Sequence, residues 1–133
     1  MKKMCEINFI KNFCNLCQEG FEQGWHELNG GNASYRLKEE EVKEIEKLFK
    51  INNEWYDIGT DVPKLAQEYF LITGTGKYFK NVLKDPEKNI GIIEVDNEGK
   101  KYRILWGLEN NARPTSELPT HLMNHEVKKE NTE

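Results

Sequence analysis

The sequence predicts an α/β fold whose strands are mostly antiparallel. From Ile7 to Trp25 the apolar residues recur at steps of three and four, which is typical of one face of a helix. Three apolar runs, residues 69–73, 90–95 and 101–107, are typical of strands. The last two runs flank the turn Asp96–Lys100, and a connection this short joins antiparallel strands.

The composition predicts one soluble domain over residues 1–133 and excludes some classes of partner. The net charge of −4 and the isoelectric point near 5.5 give no general attraction to nucleic acid or to anionic membranes. Any bound anion therefore needs local donors. Residues 1–13 lack the apolar run of a secretory signal, and no segment approaches the length of a membrane span. These observations favour a cytoplasmic location.

The remaining elements are predicted from local signals. The first helix is expected to end at Gly24 and at the Asn-Gly-Gly of residues 29–31, before a short strand at 32–37. A second helix covers residues 39–50, with glutamates in its first turn and lysines near its end. The chain then continues in a long surface connection over residues 51–67. A final helix starts within residues 114–127.

The stretch Gly74-Thr-Gly-Lys follows an apolar strand and resembles a phosphate-binding loop. A nucleotide P-loop is excluded, because Leu71 stands where its first glycine is required and Tyr78 stands where its Ser or Thr is required. Backbone N–H groups exposed by Gly74 and Gly76 still suit an anion. A plain strand-to-helix turn is the more common use of such a motif.

Two further loops carry polar groups suited to an anion. Asn29 and Asn32 flank two glycines, although a helix C-cap followed by a turn would explain part of this pattern. In residues 114–119, Thr115 or Ser116 can cap the final helix. Glu117 does not occupy the position of a capping box, so it is available for proton transfer, whereas ordinary capping with a dipole-compensating glutamate is the alternative.

The cysteine and histidine pairs give weaker signals. Cys14 and Cys17 have redox spacing, but they lie within the first helix and are interpreted as small core residues. His121 and His125 are four residues apart and could share a metal ion, but no third ligand is near them in the sequence. They are interpreted as satisfied surface or interface histidines.

Considered together, the three loops favour a site for a small phosphorylated metabolite. They supply neutral amides, glycine-rich turns and hydroxyls as donors for the phosphate. They also supply one carboxylate that could move a proton.

Four stretches of the sequence resemble the N-terminal half of the rhamnulose-1-phosphate aldolases, within the zinc-dependent class II aldolase group. They are GWHELNGGNASYRL, FLITGTGKYFKNV, ILWGLEN and PTSELPTHLMNH. The long connection through residues 38–66 and the motif TSELP favour this family over the fuculose-phosphate aldolases. The resemblance implies a sheet between layers of helices, an αβα architecture, and a homotetramer.

The resemblance also implies an activity and roles for residues. Family members cleave L-rhamnulose 1-phosphate to dihydroxyacetone phosphate and L-lactaldehyde, and zinc stabilises the enediolate. By position, Glu117 corresponds to the catalytic acid/base, and Lys77 is a candidate for further positive charge beside the phosphate. The residues that correspond to the phosphate cradle are Asn29, Gly31, Asn32, Thr75, Gly76, Thr115 and Ser116.

The sequence departs from the family in its metal ligands. Family members hold zinc with three histidines, two of them in a His-x-His pair on a strand beyond the helix that starts at Ser116. No His-x-His pair occurs in this sequence, so we expect no metal site in it. We also expect an incomplete sheet with an open edge, and little aldol cleavage by this chain alone. A non-catalytic phosphate-binding or subunit-pairing protein is one alternative, and an enzyme split over two chains is another.

Overall fold

The computed structural model of the chain describes residues 7–19, 26–29, 32–50, 54–73, 90–108, 114 and 118–132. In these residues the α-helices are α1 (Asn8–Glu19), α2 (Glu39–Ile45) and α3 (Leu118–Thr132). The strands are β1 (His26–Asn29), β2 (Asn32–Arg36), β3 (Tyr56–Asp57), β4 (Tyr69–Thr73), β5 (Ile90–Val95) and β6 (Lys101–Gly107). Short 3-10 helices cover Glu46–Leu48 and Pro63–Leu65. None of the described helices has the length and apolar character needed to cross a membrane.

The described strands form one sheet in the order β1-β2-β4-β5-β6-β3, and each neighbouring pair is antiparallel. The three strands predicted at 69–73, 90–95 and 101–107 have those bounds in the structure. β4 and β5 are almost wholly buried because both of their faces are covered. Their apolar runs are therefore nearly continuous in the sequence.

Two apolar cores cover the two faces of the sheet. Alternation along β4 places Leu71 in one core and Phe70 and Ile72 in the other. The first core receives Ile10 from α1 and Ile45 from α2. The second core contains residues of the 58–65 segment and of α3. The sheet thus lies between two helical layers, and the predicted α/β fold with antiparallel strands is confirmed.

Two parts of the predicted element order differ from the structure. Residues 26–29 form β1, so the glycines at 30 and 31 follow a strand and not the end of the first helix. Residues 58–65 were expected on the surface, but Ile58, Val62 and Leu65 are buried against the sheet and α3. A four-residue strand and isolated apolar residues in an irregular segment are too short to give a periodic signal.

Helix α2 uses its glutamates for more than solubility. Glu39 and Lys43 form an ion pair at 3.7 Å between exposed side chains. Glu41 accepts a hydrogen bond of 2.8 Å from the backbone N–H of Lys38. It also accepts the hydrogen of the Tyr35 hydroxyl, whose oxygen lies 2.8 and 2.9 Å from the two carboxylate oxygens. Burial, and then the bond to Glu41 and its negative charge, raise the pKa of Tyr35 well above its ordinary value.

The turn between β5 and β6 is organised by Asp96. Its Oδ1 accepts hydrogen bonds from the backbone N–H groups of Glu98 at 3.2 Å and Lys100 at 2.9 Å. Gly99 has a φ of +74°, a conformation that glycine adopts without steric cost. Slight burial acts to raise the pKa of Asp96, but hydrogen bonds from the backbone N–H groups outweigh it and the pKa is lowered.

Replacing Asp96 with alanine is expected to lower the free energy of unfolding by about 1 kcal/mol at pH 7, because the turn loses hydrogen bonds to a charged acceptor. Since the folded-state pKa is lowered, this stabilisation is complete above the ordinary pKa of 3.8 and is lost as the pH falls through the folded-state pKa. Urea unfolding of wild type, Asp96→Ala and Asp96→Asn between pH 7 and pH 2 measures the effect. Asp96→Asn is the control, because it keeps an acceptor oxygen and loses the charge. Parallel acid-induced losses in wild type and Asp96→Ala would contradict this role.

Candidate functional site

One end of the sheet collects the strand ends that border the predicted site loops. Asn29, the last residue of β1, pairs with Asn32, the first residue of β2. The register Ser34↔Ile72 places the start of β2 beside the end of β4 at Thr73. The tip of the β1–β2 hairpin and the end of β4 therefore lie at the same end of the sheet.

Helix α3 contacts β2 close to this end of the sheet. The helix begins at Leu118, directly after residues 115–117. His121, one turn into the helix, places its Nδ1 2.8 Å from the Oγ of Ser34. Because Ser34 is only two residues from Asn32 along β2, the turn of α3 around His121 packs close to the β1–β2 hairpin, whereas Pro119 in the first turn lies beside Gly59.

The structure reports on few of the predicted site residues themselves. It brings Asn29 and Asn32 together as backbone partners across β1 and β2. The catalytic and phosphate-binding roles predicted for all of these residues stay predictions. The others lie outside the described residues: Gly31, Thr75, Gly76, Lys77, Thr115, Ser116 and Glu117.

Ser34, His121 and His125 form a buried polar cluster between β2 and α3, here called the serine–histidine cluster. The Oγ of Ser34 lies 2.8 Å from His121 Nδ1 and 2.8 Å from His125 Nε2. Ser34 and His121 are 0% exposed and His125 is 2% exposed. On its other side the His125 ring packs against Phe70, with 5.1 Å between ring centroids.

The chemistry of one hydroxyl limits the proton arrangement of this cluster. A serine hydroxyl carries one hydrogen and two lone pairs, so it can donate to only one of the two ring nitrogens. At least one ring nitrogen must therefore carry a hydrogen and donate it to Ser34 Oγ. The tautomers of His121 and His125 are thus coupled through Ser34.

Residues 11–131 match the family model described as the Class II Aldolase and Adducin N-terminal domain. The chain belongs to this family. It is 41% identical over 128 residues to the rhamnulose-1-phosphate aldolase of Mannheimia succiniciproducens and 44% identical over 129 residues to that of Listeria welshimeri. These alignments cover 96% of this chain, and 47% and 46% of the two relatives. The chain thus spans about half of the length of these relatives.

A solved structure agrees with this membership in the class II aldolase and adducin family. The sugar-phosphate aldolase from Thermotoga maritima superimposes with a TM-score of 0.59 and is 33% identical in sequence. The superposition covers 93% of this chain and 47% of that chain. The described part of this class II aldolase domain therefore has the same fold as about half of the Thermotoga maritima protein.

The described residues of this class II aldolase domain do not fit a zinc ion. They contain no group of three or more His, Cys, Asp or Glu side chains placed to hold a metal. His121 and His125 direct one ring nitrogen each at a serine hydroxyl in a fully buried position, which is hydrogen bonding and not zinc coordination. The side chains of Cys14 and Cys17 lie outside the described part of the domain.

The prediction that His121 and His125 are surface or interface histidines is wrong, because both are buried. A signal for this was present in the sequence. Leu118, Leu122 and the two histidines fall at helical spacing, so the histidines share the face that the leucines bury. What the sequence could not supply was the partner, since Ser34 is 87 residues from His121 along the chain.

The opposite end of the sheet has a charged network without any predicted site residue. Arg103 donates through Nε to Glu94 Oε1 at 2.7 Å, and its guanidinium lies 4.7 Å from the centroid of the Trp55 ring. The Tyr69 hydroxyl donates to Glu94 Oε2 at 3.3 Å. Burial, followed by the charge of Glu94, raises the pKa of Tyr69. These groups satisfy each other, so the network is a structural one.

Proposed function

We propose that this chain is the phosphate-binding and proton-transferring part of a class II aldolase that cleaves L-rhamnulose 1-phosphate to dihydroxyacetone phosphate and L-lactaldehyde. The observation that carries the proposal is the convergence of the β1–β2 hairpin, the end of β4 and the His121 turn of α3 at one end of the sheet. The names of the relatives, which are 37–44% identical to this chain, support the choice of substrate.

In the proposed site the phosphate is held by neutral donors. Asn29 and Asn32 bring side-chain amides, and Thr115 and Ser116 bring hydroxyls just ahead of α3. The first N–H groups of a 15-residue helix such as α3 also favour an anion at that end. Local donors are required, because the chain as a whole has a net charge of −4.

The proposed chemical role of Glu117 is proton transfer. Cleavage of the carbon–carbon bond releases the aldehyde and leaves the electron pair of that bond on the dihydroxyacetone phosphate fragment. The Glu117 carboxylate would take the proton of the hydroxyl that becomes the aldehyde carbonyl, and the carboxylic acid so formed would donate a proton to the carbon that keeps the electron pair. No step is assigned to a metal ion, since the described residues do not fit one.

A second candidate function is phosphate binding or subunit pairing without catalysis. One observation favours it: the described residues include no group placed to hold a metal ion, and this alternative needs none. Under this alternative dihydroxyacetone phosphate binds but L-rhamnulose 1-phosphate is not cleaved.

Calorimetric titration of the chain with dihydroxyacetone phosphate tests the proposed site. Asn32→Ala is expected to weaken binding about 10–100-fold, which corresponds to the loss of about 1.5–3 kcal/mol from a hydrogen bond to a charged group. The matched control is Asn97→Ala, which removes an exposed asparagine in the turn at the opposite end of the sheet. Absence of binding to wild type, or equal binding by Asn32→Ala and wild type, would refute the phosphate site.

Cleavage of L-rhamnulose 1-phosphate, assayed with added zinc, separates the two candidate functions. Glu117→Gln should retain binding of dihydroxyacetone phosphate and lose any cleavage that the wild type shows. A wild type that binds but does not cleave would support the non-catalytic alternative.

A further inference from the structure

We infer that the serine–histidine cluster is a positioning site that joins the two parts of the phosphate cradle. This inference rests on the proposed function. One part of the cradle is the β1–β2 hairpin with Asn29 and Asn32, and the other part is the pair of hydroxyls just before α3. Ser34 belongs to the first element, whereas His121 and His125 belong to the second.

Burial excludes a direct catalytic role for these side chains. Ser34 and His121 are 0% exposed, so the hydroxyl cannot reach a substrate as a nucleophile. Burial of three polar side chains is unfavourable unless each is hydrogen-bonded, and apolar residues of similar size would pack there without that requirement. Their presence is therefore better explained by the orientation that hydrogen bonds impose than by a contribution to the free energy of folding.

Hydrogen bonds fix an orientation that apolar packing leaves loose. Contact between apolar side chains is non-directional, whereas a hydrogen bond weakens steeply as its angle departs from linear. His121 and His125 lie on successive turns of α3 and converge on one oxygen atom. Two such bonds to Ser34 Oγ restrict both the rotation of α3 about its axis and its shift along that axis.

Contacts beyond the cluster hold it in place. Phe70 of β4 packs against the His125 ring, and Ser34 is paired with Ile72 of the same strand. The cluster therefore ties α3 to the pair β2–β4, and the ends of both strands border predicted site loops. Loss of the Ser34 hydroxyl should leave the fold in place and shift the start of α3 relative to the hairpin.

The test compares the affinity for dihydroxyacetone phosphate with the thermal midpoint of unfolding in matched variants. Ser34→Ala is expected to weaken binding about 3–10-fold, about the effect of one neutral hydrogen bond. Ser34→Thr keeps the hydroxyl and should restore the wild-type affinity. His121→Asn, which keeps a polar atom near the position of Nδ1, is the second conservative variant, in case threonine is too large for the site.

Val62→Ala is the control for a merely structural role. Val62 is 0% exposed in the same core as α3, but its side chain makes no hydrogen bond, so its truncation should lower the thermal midpoint and leave the affinity unchanged. The inference is overturned if Ser34→Ala binds like wild type, or if both truncations weaken binding in proportion to their loss of stability. Failure of the wild type to bind dihydroxyacetone phosphate overturns the proposed function, and this inference with it.

Discussion

Replacing Gly107 with alanine is expected to lower the free energy of unfolding by about 2–4 kcal/mol, from left-handed strain of about 1–2 kcal/mol and a steric clash of similar size. Gly107 has a φ of +78°, and an added Cβ would meet the carbonyl oxygen of Ile90 and would lie 2.9 Å from the Cα of Gly91. These are backbone atoms of β5. They cannot retreat easily, because Leu108 N–H donates to the same Ile90 oxygen at 2.9 Å.

Gly59→Ala provides the matched control for this prediction. Gly59 also has a positive φ, +97°, but its added Cβ would meet only the Cγ of Pro119, at an ordinary 3.4 Å. Gly59→Ala should therefore lower the free energy of unfolding only by the conformational strain, about 1–2 kcal/mol. Urea unfolding followed by circular dichroism measures both variants. Equal losses in the two would show that the contact between Gly107 and β5 is unimportant.

Replacing Phe70 with alanine is expected to cost about 3–5 kcal/mol, which is a large part of the 5–15 kcal/mol typical of a folded domain. Phe70 is 0% exposed, lies at the centre of the core under α3, and packs against the His125 ring. Its removal leaves a cavity that rigid neighbouring strands cannot fill. Urea unfolding at 25 °C gives the free-energy difference directly.

Phe49→Ala is the comparison for Phe70→Ala. Phe49 packs against the other core and stacks on Tyr69, with 5.9 Å between centroids, but it is only partly buried. Because solvent can occupy part of the vacated volume, the loss should be about 1–2 kcal/mol. A Phe49→Ala loss as large as that of Phe70→Ala would contradict the expectation that partial burial of Phe49 lowers the cost of its truncation.

The central part of the fold could be predicted because its signals are local and strong. β4 and β5 are buried on both faces, so their apolar runs are unbroken in the sequence. The turn between β5 and β6 carries Asp96 and Gly99 where the chain requires a side-chain acceptor and a positive φ. Each of these features depends on residues only a few positions apart.

The parts that could not be predicted depend on distant partners. β1 has only four residues, and its place in the sheet follows from pairing with β2. Val62 and Leu65 are buried because α3 and the sheet cover them, and the sequence around them has no periodic pattern that predicts this burial. The histidines of α3 were interpreted as surface or interface residues because Ser34, their shared partner, is remote in sequence.

The candidate site also has a part that could be predicted from the sequence and a part that could not. The residue types suited to phosphate binding and proton transfer, such as Asn32 and Glu117, could be selected from their loops and from the family resemblance. The arrangement of the described elements that border these loops could not, because it depends on the register of β2 with β4 and on the docking of α3. The serine–histidine cluster, which controls that docking, has no motif of its own.

The separation of 87 and 91 residues between Ser34 and the two histidines has a kinetic consequence. Contacts between residues so remote in sequence require closure of a long loop. The chain loses the entropy of loop closure before the contact gives any stabilisation. The hairpin of β5 and β6 can form early, because its turn spans only a few residues. Helix α3 should therefore dock among the last elements to fold, so a nascent chain displays the apolar face of β4 until residues near 125 have been made.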